Sequence, residues 1–377
     1  MYRDHTVAIA VPAYNEEGYV GEVIDAVPDY ADRVYVVDDG STDGTWSEIR
    51  RHAERRNARH DPSEDSEGAF DRLVVPIQHD ENRGVGGAIK TAYLRAREER
   101  IDVTAVLGGD NQMDPDELTR YLDPVVDGVA DYTKGNRFAR PEDRAGMPRF
   151  RLLGNLLLSW LTKLASGYWG SMDSQNGYTA ISLAALERTD VEGMYEYYGY
   201  CNDLLVRLNE ADIRIADVPR SAEYAYSGEW KSHIDYGEYV PRVSLMLLRG
   251  FLRRLRGTYL HDGSYPVPAG YLLGSALVGQ GLLGLLTSLR EQGDSVDRWL
   301  RRVLAGVVCW MLAVDLDAAA NRHLEAHLDA GDVDSESHEE RAADREAQAT
   351  TAPHTGAHVE RNGDRPELTD SVTTRED

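Results

Sequence analysis

The stretch Val106-Leu107-Gly108-Gly109-Asp110-Asn111-Gln112-Met113-Asp114-Pro115 decides the fold. Its first residues end an apolar run that starts at Val103, as a short buried strand would. Gly108-Gly109 turns the chain. Pro115 suits the first turn of a helix, where its missing N–H costs nothing. Between strand and helix stand Asp110, Gln112 and Asp114, hard oxygen donors at a strand's C-terminal edge and suited to Mg²⁺ or Mn²⁺ carrying a diphosphate. A capped helix start, Asp114-Pro115-Asp116-Glu117, beside a solvated turn reads the same letters differently. Two more clusters, at residues 9–17 and 34–45, favour a site.

The run Thr6 to Pro12 is continuously apolar, the pattern of a parallel strand buried on both faces. Ala13-Tyr14-Asn15-Glu16-Glu17 follows, with Asn15 as the expected N-cap of a helix to about Ala26. Val34 to Val37 is a second strand, ending in Asp38-Asp39-Gly40-Ser41-Thr42-Asp43-Gly44-Thr45 ahead of a helix to about Arg56. Asn57 to Asp71 reads as a polar surface insertion. The third strand, Leu73 to Gln78, leads to Asn82-Arg83-Gly84-Val85-Gly86-Gly87-Ala88 and a helix to about Arg100. The glycines there either bring N–H groups to a phosphate or let helix and strand pack closely. Strand–helix alternation with ligand-type residues after the strands predicts an α/β, doubly wound, mostly parallel sheet with its site at the carboxyl strand ends. No Gly-x-Gly-x-x-Gly follows the first strand, which disfavours the dinucleotide-binding variant.

Further on, a strand and loop are expected at Tyr132–Phe138, a mixed apolar and basic helix at about Arg149–Ala165, a helix through Asn202-Asp203 to Glu210, and a strand at Ile213–Val218. From about Tyr239 the character changes. Val243 to Leu255 interleaves apolar residues with Arg242, Arg249, Arg253, Arg254 and Arg256, the pattern of an amphipathic helix lying on anionic headgroups. Tyr265 to Leu289 then runs 25 residues without a charge, enough to span a bilayer, for which about 20 apolar residues suffice. Val303 to about Ala320 reads as the return leg of a transmembrane hairpin, with Asp315 and Asp317 at the water interface. The basic run before the first span predicts a cell-membrane, multi-pass protein whose catalytic domain and tail are cytoplasmic. Residues 329–377 carry 14 acidic and 5 basic side chains and almost nothing apolar, so a disordered tail is expected. The units are 1–235, an interfacial region 236–262, the hairpin 263–321 and the tail 322–377.

The formal net charge of the 377-residue chain is −24, and only Lys90, Lys134, Lys163 and Lys231 are lysines. Such a surface excludes nucleic acid, which needs clustered cations. Excess Asp and Glu with few Lys points to a halophilic, haloarchaeal source, where salt screens the repulsion. Cys201 and Cys309 lie far apart in unlike segments, so no disulfide is expected. The apolar run Val7–Pro12 is too short for a signal peptide.

Taken together, Val11 to Glu17, Val37 to Thr45, Asn82 to Ala88, the Asp110 cluster and Gly135-Asn136-Arg137-Phe138 resemble the family-2 glycosyltransferases of GT-A fold, most of all the dolichyl- or polyprenyl-phosphate mannose and glucose synthases. The motifs occur in the family's order over roughly residues 6–235. The resemblance implies that Pro12, Tyr14, Asn15, Glu16, Asp39 and Gly86 bind a nucleotide sugar, a UDP- or GDP-hexose, and that Asp38 supports their loop. It implies a metal, Mg²⁺ or Mn²⁺, on Asp110 and Gln112. Where the family carries a first Asp, this chain has Gly108. Asp203 falls where the family places a catalytic carboxylate, with helix capping as its alternative. Arg137 and Arg151 match arginines that hold the acceptor phosphate, and Lys231 falls in the loop that closes over the donor. The expected activity is inverting transfer of a hexose to polyprenyl (dolichyl) phosphate at the membrane, for surface or protein glycosylation. Transfer to another glycolipid or glycan, or a non-catalytic membrane-bound protein that binds sugar nucleotides, are the rivals.

Overall fold

The structure is a computed structural model and describes residues 1–60, 70–140, 149–220, 236–260, 263, 265–291 and 296–328. In chain order the elements are β1 (Val7–Ala13), α1 (Val20–Asp25), β2 (Arg33–Asp38), α2 (Thr45–Asn57), β3 (Val74–Gln78), α3 (Val85–Glu98), β4 (Val103–Val106), α4 (Thr119–Val126) and β5 (Tyr132–Asn136). They continue with α5 (Arg149–Ser166), β6 (Thr179–Ser182), α6 (Leu183–Arg188), α7 (Tyr200–Glu210), β7 (Ile215–Pro219), α8 (Tyr236–Arg254), α9 (Pro266–Glu291), α10 (Val296–Asn321) and β8 (Glu325–Ala326). The strands form one sheet in the order β3-β2-β1-β4-β6-β5-β7-β8. All neighbours run parallel except the two pairs that involve β6. This is the α/β, mostly parallel sheet flanked by helices that the strand–helix alternation predicts.

Alternation along β1 explains its unbroken apolar run. Ala8 and Ala10 face the layer built by α3, α6 and α7, whereas Val7, Ile9, Val11 and Ala13 face α1, α2 and α4. A strand covered on both faces leaves no position for a polar side chain until it ends. Polar residues therefore collect at the carboxyl ends of β1, β2 and β4, which lie side by side.

Three boundaries differ from expectation. Asn15 does not cap α1, which starts at Val20 after Tyr19. Asn15 instead sits at φ +56° and accepts from the Thr42 N–H at 2.8 Å. The helix expected from Asp114 is a 3₁₀ turn, Pro115–Glu117, before α4, with the Asp114 carboxylate capping the Asp116 N–H at 2.9 Å. The sheet takes its last strand, β8, from beyond the hairpin, so the catalytic domain draws on residues past 321. The insertion at 61–69 and the tail from 329 lie outside the described residues.

Helices α9 and α10 are long and apolar enough to cross a membrane, and they pack on one another through small residues. A Cβ at Gly270 would come within 2.9 Å of the Ala313 Cβ, and one at Gly306 within 2.8 Å of the Gly274 carbonyl oxygen. The Gly270/Gly274 pair thus serves contact within the hairpin. At the turn end, Arg298 and Arg302 lie over the Trp299 ring, a cation–aromatic belt suited to a headgroup layer.

Two expected interfacial charges are buried together instead. Arg254 and Asp317 have no exposed side-chain surface and form a two-pronged pair at 2.9 and 2.8 Å. Tyr259, Tyr271, Trp169 and Asn321 also donate to the Asp317 carboxylate. Arg254 further donates to the Ala165 and Leu164 carbonyls at the end of α5. Removing one partner strands a buried charge, at a cost of about 3–5 kcal/mol. Asp317→Asn and Arg254→Met should each lower the unfolding midpoint in detergent, and the double variant should lose less than the sum. Strict additivity in that cycle would show that the pair is not coupled.

Candidate active site

The carboxyl ends of β1, β2 and β4 are stitched together by backbone. The Gly109 N–H donates to the Pro12 carbonyl at 3.1 Å, and the Asp39 N–H donates to the Ala13 carbonyl at 2.9 Å. The loops beyond them interlock. Glu16 N–H donates to Thr45 Oγ1 at 2.8 Å, Asn15 N–H to Ser41 Oγ at 2.9 Å, and Gly44 N–H to the Glu17 carboxylate at 3.0 Å. Pro12, Tyr14, Asn15, Glu16, Asp38, Asp39 and Asp110 are thereby brought to one edge.

Asp38 is fully buried. It accepts from the Ser41 N–H at 3.2 Å and from Gln78 Nε2 at 3.0 Å, so it holds the loop. Asp39 uses one oxygen only. Its Oδ1 accepts from His79 Nδ1 at 2.7 Å and from the Arg83 N–H at 2.9 Å, whereas its Oδ2 is buried without a partner.

Asp110 is half-buried, with Oδ1 3.2 Å from the Gln112 N–H. Burial pushes its carboxyl above the usual range, against the opposing pull of that N–H and of Arg220. Glu16 is pushed up to about 7 by burial and by the charges of Asp110 and Asp43. Two carboxylates therefore repel one another across the cleft. Gly108, where the first family Asp is missing, is explained locally: a Cβ there would lie 2.7 Å from Asp110 Oδ1. The Asp110 carboxylate occupies the space that a side chain at 108 would use.

The donor set fits a hard divalent cation, since a carboxylate and an amide oxygen stand on one turn beside repelling carboxylates. Among the described residues no group of three or more His, Cys, Asp or Glu side chains is placed to hold a metal. Asp110 and Gln112 would supply two donors, and the donor diphosphate and water the remainder.

One site residue escaped the sequence reading. Arg220, at the end of β7, donates to the Gln112 carbonyl at 2.9 Å and lies over the Tyr178 ring. It is a fixed cation beside Asp110. Only the sheet order, with β7 beyond β5, brings it there, and no motif marks it.

Other expected residues are placed differently. Gly86 is used for packing: a Cβ there would meet the Tyr195 and Glu196 carbonyls at 2.5 and 2.8 Å, and Gly87 N–H donates to the Glu196 carbonyl. Asp203 is 3% exposed and accepts from the Tyr195 N–H at 2.8 Å and from Arg207 Nε at 2.7 Å. Both contacts fall on Oδ2, and Asp203 lies inside α7, whose N-cap is Gly199, so it anchors the segment before the helix without capping it. Arg137 is gripped by the buried Asp173 through Nε at 2.7 Å and Nη2 at 2.8 Å. Burial would raise the Asp173 carboxyl, but Arg137 outweighs it and holds it below the usual range. Lys231 and the Arg151 side chain lie outside the described residues.

Residues 8–189 match the model of glycosyl transferase family 2. The chain is 30% identical over 249 residues to the UDP-N-acetylglucosamine–dolichyl-phosphate N-acetylglucosaminyltransferase of Methanococcus voltae, covering 66% of this chain and 98% of that protein. The chain belongs to glycosyltransferase family 2. This glycosyltransferase is also 28% identical over 232 residues to the undecaprenyl-phosphate mannosyltransferase of Micrococcus luteus, covering 56% and 82% of the two chains. Among solved structures it is similar to glucosyl-3-phosphoglycerate synthase of Mycobacterium tuberculosis, with TM-score 0.45 and 17% identity over 67% of this chain and 80% of that one.

The Glu16 carboxyl has a consequence for the ligand-free glycosyltransferase. Pushed up to about 7 in the folded protein, well above the ordinary glutamate range, it binds its proton more tightly in the folded state. The contribution of this one group to stability is full below about pH 4.5 and is lost as pH rises through about 7. Glu16→Gln should raise the melting temperature at pH 8 and leave it unchanged near pH 4. An equal gain at both pH values would refute the repulsion.

Proposed function

We propose that this glycosyltransferase moves a hexose, with inversion, from a nucleoside-diphosphate sugar to a polyprenyl phosphate at the cytoplasmic membrane face. The observation that carries the acceptor half is an exposed apolar platform joined to the hairpin. Leu153, Leu157 and Trp160 on α5, and Leu245, Leu248 and Leu252 on α8, are all exposed. Their spacing places each trio on one helical face. The two helices pack on each other through Ala165, Val243 and Leu247. Six large apolar side chains left to water would be costly, and a bilayer surface relieves that cost. The platform extends the expected interfacial region from α8 to α5. The relatives from M. voltae and M. luteus, whose names specify dolichyl and undecaprenyl phosphate, support the same acceptor class.

In this reading Tyr14, Glu16 and Asp39 receive the nucleoside. Asp110 and Gln112 hold Mg²⁺ or Mn²⁺ which, when bound, neutralises the diphosphate as leaving group. Arg220 adds a fixed positive charge beside Asp110, already oriented before the sugar bond breaks. The acceptor phosphate oxygen is ionised at neutral pH and attacks the anomeric carbon opposite the departing diphosphate, so no side chain need take a proton. Arg137, fixed by Asp173, meets the acceptor phosphate. Asp203 is a positioning residue for the Tyr195–Tyr200 segment. Arg249, Arg253 and Arg256 meet anionic headgroups on the cytoplasmic side.

Purified full-length protein in high salt and detergent, given Mg²⁺, dolichyl phosphate and sugar-labelled nucleotide donors one at a time, should pass label to the organic phase. Asp110→Asn should cut that transfer by at least about 100-fold. Label transferred instead to a glycolipid, a glycan or a water-soluble phosphorylated acceptor would replace the polyprenyl phosphate reading. Donor binding without transfer to any acceptor would favour a non-catalytic role.

A further inference from the structure

The stretch Gly167 to Asp173, in the connection from α5 to β6, meets Arg137 at one end and the apolar hairpin at the other. Asp173 has no exposed side-chain surface and accepts from Arg137 three times, from the N–H at 2.9 Å, Nε at 2.7 Å and Nη2 at 2.8 Å. Arg137 itself keeps 19% of its side-chain surface open, which a phosphate can reach. At the other end a Cβ on Gly167 would lie 2.7 Å from Arg254 Nη1, and Trp169 Nε1 donates to Asp317 Oδ2 at 3.2 Å. Between them, Ser171 Oγ and Met172 N–H donate to Asp217 at 2.9 and 2.8 Å, and the Met172 carbonyl accepts from Lys134. Asp217 and Lys134 stand on the neighbouring strands β7 and β5, so these anchors belong to the sheet itself.

One further anchor comes from beyond the hairpin. The Gly170 N–H is shared by both oxygens of Glu325, at 2.8 Å each. Glu325 follows α10 and lies on β8, opposite Ile215 of β7, with Leu324 beside it buried in the core. A backbone N–H given to a carboxylate is a charge-assisted bond, stronger than one between neutral partners. Glycine at 170 makes room for it, because a Cβ there would collide with Glu325 Oε2. Resting on the reading of Arg137 as the cation for the acceptor phosphate, we propose that Glu325 is a positioning residue for that acceptor. Glu325 fixes Gly170, the stretch to Asp173 follows, and Asp173 sets the direction of the Arg137 guanidinium. The phosphate subsite is therefore complete only when the chain has left the hairpin and rejoined the sheet. A lipid phosphate is received only by a domain whose membrane anchor is seated.

Hydrogen exchange on the full chain in detergent and high salt reads this coupling without substrate. Glu325→Ala should speed exchange of the Gly170, Met172 and Arg137 amides about tenfold or more, as expected when a charge-assisted bond is lost. Amides of β1 to β4 should not change. Glu325→Gln keeps an oxygen for the Gly170 N–H and should restore most of the protection. Unaltered Arg137 exchange in Glu325→Ala would overturn the proposal. Gly170→Ala displaces the carboxylate from the loop side and should repeat the effect at Met172 and Arg137 even if Glu325→Ala does not fold. In transfer assays with dolichyl phosphate varied in the micelles, Glu325→Ala should raise the acceptor KM about tenfold and leave kcat and the donor KM near their unaltered values. Added to Arg137→Ala, it should raise the acceptor KM no further. A lower melting temperature with both KM values unchanged would mark Glu325 as merely structural and end its acceptor role. A response to Arg137→Ala but not to Glu325→Ala would overturn the proposal alone. An acceptor KM indifferent to Arg137→Ala, or no transfer to dolichyl phosphate by the unaltered protein, would overturn the Arg137 reading and the acceptor role of Glu325 together.

Discussion

The buried Arg254–Asp317 pair joins parts of the chain that the sheet alone would leave separate. Asp317 belongs to the second apolar helix, Arg254 ends the helix on the exposed platform, and the Arg254 guanidinium also grips the end of α5. Asn321, one turn beyond Asp317, accepts from Asn209 of α7 at 2.9 Å. Four residues later the chain pairs with β7. A charge placed in so apolar a setting survives because every lone pair finds a donor. The same full satisfaction fixes hairpin, platform and catalytic domain in one register. On the proposed reading, an acceptor held in a bilayer meets a donor held at the strand ends only if that register is rigid.

The strand ends carry the opposite arrangement, charge that is left incompletely met. Burial and the Asp110 charge raise the proton affinity of Glu16, burial raises that of Asp110, and Asp39 keeps an oxygen without a donor. Arg220 meets only part of this charge. Unmet charge at one edge, beside an interior whose charges are closely paired, is the kind of surface that ligands complete.

Much of this was legible in the letters because strands buried on both faces forbid polar residues until they end. The Asp38-Asp39 and Asp110-x-Gln112 clusters could therefore only be edge features. What escaped depends on long-range placement. Arg220 reaches the site because β7 lies beyond β5, and Asp317 is buried because Arg254, Tyr259 and Trp169 converge on it from distant segments. Periodicity marks Arg254 as one more interfacial arginine, since a helical wheel cannot show which face meets another helix. Gly86 is ambiguous for a related reason: a glycine that admits a phosphate and one that admits a neighbouring backbone look alike in sequence. Asp203 likewise sits in a motif position, yet its Oδ2 is engaged by Tyr195 and Arg207.

Scarcity of lysine gives a last constraint. In a chain of net charge −24, solubility asks nothing of lysine, and the three lysines among the described residues all answer to structure. Lys90 pairs with Glu196 at 2.9 Å, Lys134 with Asp217 at 2.9 Å, and Lys163 donates to the Trp169 carbonyl at 2.7 Å. Arg137 is likewise held by Asp173. Cations tied in this way cannot collapse onto the acidic surface around them, and their positions are set before any phosphate arrives. In an acidic protein, pairing an arginine with a buried carboxylate gives up part of its charge but preserves its place. For a phosphate acceptor of the proposed kind, which must meet a fixed attack line, place is the scarcer quantity.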